Sequence, residues 1–210
     1  SLGNVIDPLS LVDQYGVDSV RYYLMREMVL GQDANFTMES FIKRYNSDLA
    51  NDFGNLLNRV SGLIGKYFDG CVPNEGQAWA SDKEIRKVAD GLAKRIEELI
   101  NAMRVHEAIE QVLVLIRNTN VYMEHQAPWK EAKENLERAG TILYTATEAL
   151  RISAVLLLPV MPAKANTVLE ILGAVGTEPR WGQLKAGTKL QSHDALFPRL
   201  DAEGKVITKA

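Results

Sequence analysis

Two polar residues of this sequence lie one helical turn apart in a segment with helical periodicity. Asn55 and Arg59 stand four positions apart, so both side chains leave the same face of a helix. They lie at the edge of the apolar stripe, roughly 80–120° from its centre on a helical wheel. An amide offers donors and acceptors to a base edge, and a guanidinium can bond two acceptors or stack on a base. The spacing fits RNA contact, and it equally fits a polar pair that braces a neighbouring helix.

A third candidate is Trp129, which follows Pro128 at the start of a short amphipathic segment. A rigid proline at the first helical position can hold the next side chain half out of the core. The indole would then offer a flat face to an unstacked base, a contact worth about 1–3 kcal/mol. The alternative is that Trp129 fills a gap between two helices.

Conventional catalytic constellations are missing from the sequence. The three histidines, His106, His125 and His193, are far apart, and none has a cysteine or acid at metal-ligand spacing. There is no glycine-rich phosphate loop and no nucleophile elbow. Cys71 is the single cysteine, which excludes an internal disulfide and favours a reducing compartment with an inert thiol. We therefore expect no catalytic residue and no metal site in this chain.

Hydrophobic periodicity predicts that most of the chain is helical. Asp18 is a candidate cap for a helix over about 20–29, Thr37 for a long helix over 38–68, and Ser81 opens a capping-box pattern. Further helices are predicted over approximately 82–101, 104–125, from 128, over 135–158 and over 162–172. From 173 onward glycines and prolines predict an irregular strap across the helices. The fold class predicted is mainly α, an antiparallel helical bundle preceded by a small N-terminal module.

Composition is that of an ordinary globular protein, with 46% apolar and 24% charged residues and a net charge of −3. Residues 1–80 carry six Lys and Arg against ten Asp and Glu. This balance opposes a polyanion, so any RNA contact must come from a local patch. No run is long enough to span a bilayer and no signal-peptide pattern is seen, so we expect no membrane partner.

The first eight residues, Ser1 to Pro8, resemble the segment that follows the lysines of the KMSKS signature in class I aminoacyl-tRNA synthetases. Ser1 would be the last letter of that signature. Later stretches are similar to methionyl-tRNA synthetase in particular. They are Gly31-Gln32-Asp33 with Phe36, the run from Arg44 to Leu56, His106-Glu107-Ala108, Ala127-Pro128-Trp129-Lys130 and Leu196-Phe197-Pro198-Arg199.

The resemblance implies roles for the three candidates. In that family the residues matching Asn55, Arg59 and Trp129 read the CAU anticodon, with the tryptophan stacked on the first base. It also implies a stem-contact module over 1–36, a class Ia anticodon-binding bundle over 37–175, and a strap packing on the bundle over 176–210.

The resemblance further implies partners and setting. These are the anticodon loop of tRNA(Met) and the catalytic domain of the same polypeptide, in a cytoplasmic protein. The parent enzyme would activate methionine with ATP and Mg, whereas this part would bind no cofactor and be inactive alone. Without an appended oligonucleotide-fold domain, a monomer is expected.

Two other interpretations stay open at this point. One is the equivalent region of a leucine, isoleucine, valine or cysteine enzyme, since these share the segment at the start of the chain. The other is a helical protein-interaction module in which Trp129 is a buried anchor, supported by the acidic first 80 residues.

Overall fold

A computed structural model describes residues 7–29, 31–32 and 36–207, and it confirms the mainly helical fold class. The KMSKS-like start, Ser1 to Ile6, and Asp33 lie outside the described residues. The elements in chain order are α1 (Pro8–Tyr15), α2 (Val17–Glu27), α3 (Met38–Arg44), a π-helical segment (Tyr45–Gly54), α4 (Asn55–Tyr67), α5 (Ala80–Asn101), α6 (Val105–Gln126), α7 (Pro128–Glu134), α8 (Leu136–Leu157) and α9 (Pro162–Ile171).

The N-terminal module differs from the prediction in two ways. Helix α1 was not predicted, although Asp7 caps it by accepting from the backbone N–H groups of Leu9 and Ser10. Asp18 is not a cap, because α2 already begins after Gly16. Its buried carboxylate instead accepts from the backbone N–H of Lys164 at 2.6 Å, in the first turn of α9. Asp18 therefore accepts a hydrogen bond from a free backbone N–H at the start of a helix distant in sequence.

The long helix predicted over 38–68 starts as expected, with Thr37 accepting from the backbone N–H of Ser40 at 3.1 Å. It is not one α-helix, because Tyr45–Gly54 is π-helical and Asn55 donates its N–H to Ala50, five residues back. A π turn takes in more residues than an α turn, so positions four apart lie nearly above one another.

This geometry places two aspartates of the π segment opposite α6. Arg117 lies 3.5 Å from Asp48 and 2.8 Å from Asp52. Asp48 is buried and also accepts from the hydroxyl of Tyr22 at 2.7 Å. Burial, with the Asp48 carboxylate adding to it, raises the pKa of Tyr22. These contacts join α2, the π segment and α6.

The predicted capping box at Ser81 is wrong. Helix α5 begins at Ala80, so Ser81 lies inside it, and the backbone N–H of Trp79 donates to Asp82 at 2.7 Å. Asp82 is buried and also accepts from the Tyr122 hydroxyl at 2.6 Å and from Arg138 at 2.9 Å. One carboxylate thus ties together α5, α6 and α8.

Helix α8 runs through the centre of the bundle and packs against α4, α5, α6, α7 and α9. Every residue from Arg138 to Val155 is buried. Among them Glu148 and Arg151 form a two-point ion pair, with distances of 3.0 and 2.8 Å. Their remaining hydrogen-bonding atoms bond the backbone of the strap at Glu178, Arg180, Gln183 and Leu184.

The strap, residues 173–207, is irregular as predicted, and strand pairing within the described ranges is limited to isolated bridges. Asn46 of the π segment holds it by both amide atoms, accepting from Leu200 N–H at 2.9 Å and donating to Leu200 C=O at 2.8 Å. Within the described residues, none of the helices has the length and apolar composition that crossing a bilayer requires.

Leu56 tests the placement of α4, because its side chain is fully buried. We expect Leu56→Ala to lower the free energy of unfolding by about 2–5 kcal/mol through a core cavity. Asn58→Ala, on an exposed position of the same helix, should stay within about 0.5 kcal/mol. Urea unfolding measures both, and an unchanged midpoint for Leu56→Ala would show that the wrong face was assigned to the core.

Asp82 should make stability depend on pH. Burial raises its pKa, but the bonds from Arg138, Tyr122 and the Trp79 backbone outweigh burial and hold the pKa below its ordinary value. The stabilisation is therefore present above the ordinary aspartate pKa, about 4, and is lost as the pH falls through the lower folded value.

The variant Asp82→Asn should cost about 3–5 kcal/mol near pH 7, because it leaves Arg138 buried without its partner. The difference from the unmodified chain should shrink as the pH falls below about 4. Asp90→Asn, at a half-exposed site on the same helix, is the control. A difference that stays constant with pH, measured by urea unfolding, would contradict this role of Asp82.

Candidate nucleic-acid interface

The junction between α6 and α7 sets the position of Trp129. Ala127 ends α6 in the left-handed conformation, with φ of +43°, which is uncommon for a residue other than glycine. Pro128 then occupies the first position of α7 and is buried. The turn leaves Trp129 half-buried beside α4 instead of inside the bundle.

Arg59 lies over this indole. Its guanidinium carbon is 5.5 Å from the centre of the Trp129 ring, which is cation–π distance. The side chain of Arg59 is 24% exposed and pairs with Glu124 of α6 at 3.0 Å, whose side chain is 66% exposed. An ion pair this open to solvent contributes little, typically about 0–1 kcal/mol. Arg59 is therefore already stacked on an aromatic ring in the free protein. Its ion pair with Glu124 can be replaced by another acceptor at little cost.

Asn55 is oriented by an amide on α6. Asn120 directs its Nδ2 at the carbonyl oxygens of Asp52, at 3.0 Å, and Ile116, at 3.3 Å. Carbonyls only accept, so the Oδ1 of Asn120 is left to accept from the Nδ2 of Asn55, at 3.3 Å. The carbonyl oxygen of the Asn55 side chain is then the atom with most acceptor capacity left.

Asn55 also lines a cavity of about 680 Å³ between α4 and the strap. Asn51 and Asn58 line the same cavity, with Phe197 and Arg199 on the strap side. The Oδ1 of Asn51 is buried and has no hydrogen-bond partner among the described residues. The cavity therefore combines three amides, an aromatic ring and an arginine, groups that bond or stack on nucleobases.

The three predicted residues lie close together in the structure, with Asn55 and Arg59 on one edge of α4 and Trp129 on the neighbouring α7. Arg59 and Trp129 are in contact, and Asn55 lies one turn before Arg59. Both Asn55 and Arg59 also bond α6, as the helix-bracing alternative required. Trp129 is neither buried in a gap nor fully free. Their part in RNA binding stays a prediction.

Sequence reasoning missed the partners on α6, Asn120 and Glu124, and the cavity residues Asn51 and Asn58. The positions 51, 55 and 58 repeat at helical spacing, which could have indicated an amide-rich face. No sequence signal places Asn120, because it lies 65 residues from Asn55. Among the residues that the structure describes, no group of three or more His, Cys, Asp or Glu side chains is arranged to hold a metal ion.

Comparison with known protein families gives two matches along the chain. Residues 72–206 match the model of the anticodon binding domain of methionyl tRNA ligase, and residues 1–61 match that of the class I tRNA synthetases, methionine type.

Among curated proteins, the methionine–tRNA ligase of Caldanaerobacter subterraneus subsp. tengcongensis is 40% identical over 99% of this chain and 34% of its own length. That of Bacillus subtilis is 41% identical over 98% of this chain and 32% of its own length. This chain thus spans about a third of the length of these relatives.

Solved structures agree with the sequence matches. The free Mycobacterium tuberculosis methionyl-tRNA synthetase superposes with a TM-score of 0.88 at 35% identity, over 95% of this chain and 42% of that one. The form bound to methionyl-adenylate gives 0.89 at 36% identity, over 94% and 41%. The helical bundle carries amides, an arginine and a tryptophan along one edge, in agreement with these matches. Together they decide between the families that the sequence left open. This chain belongs to the methionyl-tRNA synthetase family and comprises its anticodon-binding domain.

Proposed function

We propose that this domain binds the anticodon loop of tRNA(Met) and reads the bases CAU through Asn55, Arg59 and Trp129. The observation that carries the proposal is the placement of Arg59 over the half-buried Trp129 ring, one turn from an oriented amide. An unstacked base can lie on the indole, while the guanidinium bonds its edge or stacks on its neighbour. Single-stranded loops are the part of RNA whose bases are open to such contacts.

The contacts that hold these side chains in the free protein are suited to exchange. Arg59 can leave Glu124 for an RNA acceptor at small cost, because the pair is exposed. A loop that offers Arg59 no acceptor still places its phosphates near the Glu124 carboxylate. The repulsion between these negative charges is then not offset by a new bond to Arg59. The exposed acid thereby opposes loops that do not match.

The activity of a whole protein containing this domain belongs to the same proposal. It would activate methionine with ATP and Mg on a separate catalytic domain, and then charge tRNA(Met), in the cytoplasm. Residues 1–36 would contact the tRNA stem and connect to that domain, 37–175 would form the anticodon-binding bundle, and 176–210 would pack on it. A monomer is the proposed state.

Fluorescence anisotropy with a labelled anticodon stem-loop tests the proposal directly. A CAU loop should bind more tightly than the same stem with a permuted loop, and binding should weaken steeply as salt rises. Equal binding of both loops would contradict anticodon reading. Binding of neither would contradict the proposal, and a helical protein-interaction surface would then be the better explanation.

Trp129→Ala removes the proposed stacking surface. We expect binding of the CAU loop to weaken by about 1–3 kcal/mol, the contribution of one stacked base, with thermal stability nearly unchanged. Trp79→Ala is the matched control. Trp79 is an exposed tryptophan at the start of α5, and its ring stacks on Arg138 of α8. Unchanged anisotropy curves for Trp129→Ala would eliminate the stacking role.

Arg59→Ala separates base recognition from charge. A base contact predicts that CAU loses more affinity than permuted loops, so discrimination falls. Arg59→Lys keeps the charge but lacks the planar fork, so it should also lose discrimination. Equal losses for every loop would show that Arg59 contacts only phosphate.

A further inference from the structure

A second cavity adjoins the proposed RNA site on the same helix. It has a volume of about 420 Å³ and lies between α4 and the strap, and we name it the strap groove. Asn58 lines both this groove and the larger cavity beside Asn55, so the two cavities adjoin at this residue. None of the described residues that line the groove is acidic, although the chain as a whole is.

The floor of the groove is the backbone of α4. Gly62 and Gly65 line it, and no heavy atom lies within 4 Å of where a Cβ would stand at either position. A chain of nucleotides could therefore approach the helix closely. Two glycines alone assign no ligand, and the side chains on the wall supply that information.

The wall carries a histidine–serine pair. The Nε2 of His193 is 2.8 Å from the Oγ of Ser61, and its Nδ1 is 2.8 Å from the carbonyl oxygen of Asp194. A carbonyl only accepts, so Nδ1 carries a hydrogen. The Ser61 hydroxyl also contacts the carbonyl oxygen of Leu57, one turn back.

This arrangement accommodates both charge states of the imidazole without moving a heavy atom. In the neutral state Ser61 donates to Nε2. In the protonated state Nε2 donates to Ser61, and the Ser61 hydrogen turns to the Leu57 carbonyl. Every hydrogen then has an acceptor, and the groove gains a positive charge.

The charged residues of α4 are Arg59 and Lys66, and strap residues 189–194 contribute Lys189 and Asp194 besides the histidine. Lys189 donates to the carbonyl of Asp69 at the Gly70 end of the groove. Asp194 is the one carboxylate next to the histidine in sequence.

We propose that the strap groove binds the sugar-phosphate backbone of a loop nucleotide flanking the anticodon, with a phosphate oxygen replacing Ser61 as the acceptor of the Nε2–H of protonated His193. The inference rests on the proposed anticodon function and adds a contact that reads no base. Binding of a phosphate favours the imidazolium, so the protein should take up a proton at His193 as the RNA binds.

The test compares His193→Gln with the unmodified chain by anisotropy at about pH 6 and pH 8, between which histidine changes its charge. Glutamine retains a neutral partner for Ser61. The variant should lose roughly three- to tenfold in affinity for the CAU stem-loop at the lower pH and little at the higher one. At the lower pH, the slope of log affinity against log salt concentration should become shallower by about one, because one phosphate contact is lost.

His106→Gln is the matched control, because His106 lies at the opposite end of α6 from Glu124 and beside Glu107. It should leave binding unchanged at both pH values. If His193→Gln follows the unmodified chain at both, the inference is overturned.

Gly62→Leu gives an independent check that needs no titration. Leucine suits a helix better than glycine and meets open space, so the fold should tolerate it. The side chain would fill the groove and weaken RNA binding several-fold at both pH values. Binding equal to that of the unmodified chain would overturn the inference.

A methylphosphonate placed at each loop linkage in turn locates the contact. One flanking linkage should weaken binding of the unmodified chain but not of His193→Gln, because the two changes remove the same interaction. If no linkage behaves so, the phosphate assignment is wrong. The permuted loop separates the two claims, since lost base discrimination overturns the anticodon function whereas an intact His193 effect on every loop supports the backbone contact.

Discussion

The pair formed by Glu148 and Arg151 is the constraint on which much of the structure depends. Because α8 is buried from Arg138 to Val155, two charges at its centre have no access to water. A buried charge without a partner costs several kcal/mol, so each must be matched inside the protein. The pair satisfies part of this demand, and the strap backbone satisfies the rest. An irregular segment is thereby given one defined path.

That path decides where the two cavities beside α4 lie. The strap continues from its anchor on α8 to His193, Phe197 and Arg199, and the amide of Asn46 holds it at Leu200. It supplies one wall of both cavities, whereas α4, joined at the larger cavity by the π segment, supplies the other. The surface proposed for RNA is thus formed between a regular element and an irregular one, each fixed by buried polar contacts.

Periodicity predicted the bundle well, because an amphipathic helix repeats its apolar residues every three to four positions. Capping was predicted less well. Asp18, predicted as a cap of its own helix, instead bonds Lys164, and the cap predicted at Ser81 is replaced by Asp82, which bonds both Trp79 and the distant Arg138. The π segment was missed because one changed hydrogen-bond register hardly disturbs the apolar pattern on either side. Local spacing does not encode such tertiary contacts.

The candidate site shows the same limit. Arg59 and Asn55 were recognisable from spacing and resemblance, yet their partners on α6 come from 65 residues away. The orientation of the Asn55 amide follows from the carbonyls that Asn120 faces, which only the folded chain reveals. Resemblance indicated which residues to consider, and the structure showed what each is bonded to in the free protein.

The π-helical segment has a consequence for how this family can vary in length. Each residue of an α-helix turns the chain by about 100° and each residue of a π-helix by less, so losing one residue between 45 and 54 would turn α4 about its axis unless the winding of the remaining residues compensated. Leu56 and Asn55 would then leave the positions that they occupy in the core and at its edge. Substitutions here alter one contact at a time, but a one-residue gap would change the rotational phase of the whole of α4. We therefore expect the number of residues between α3 and Asn55 to be far less variable than their identities.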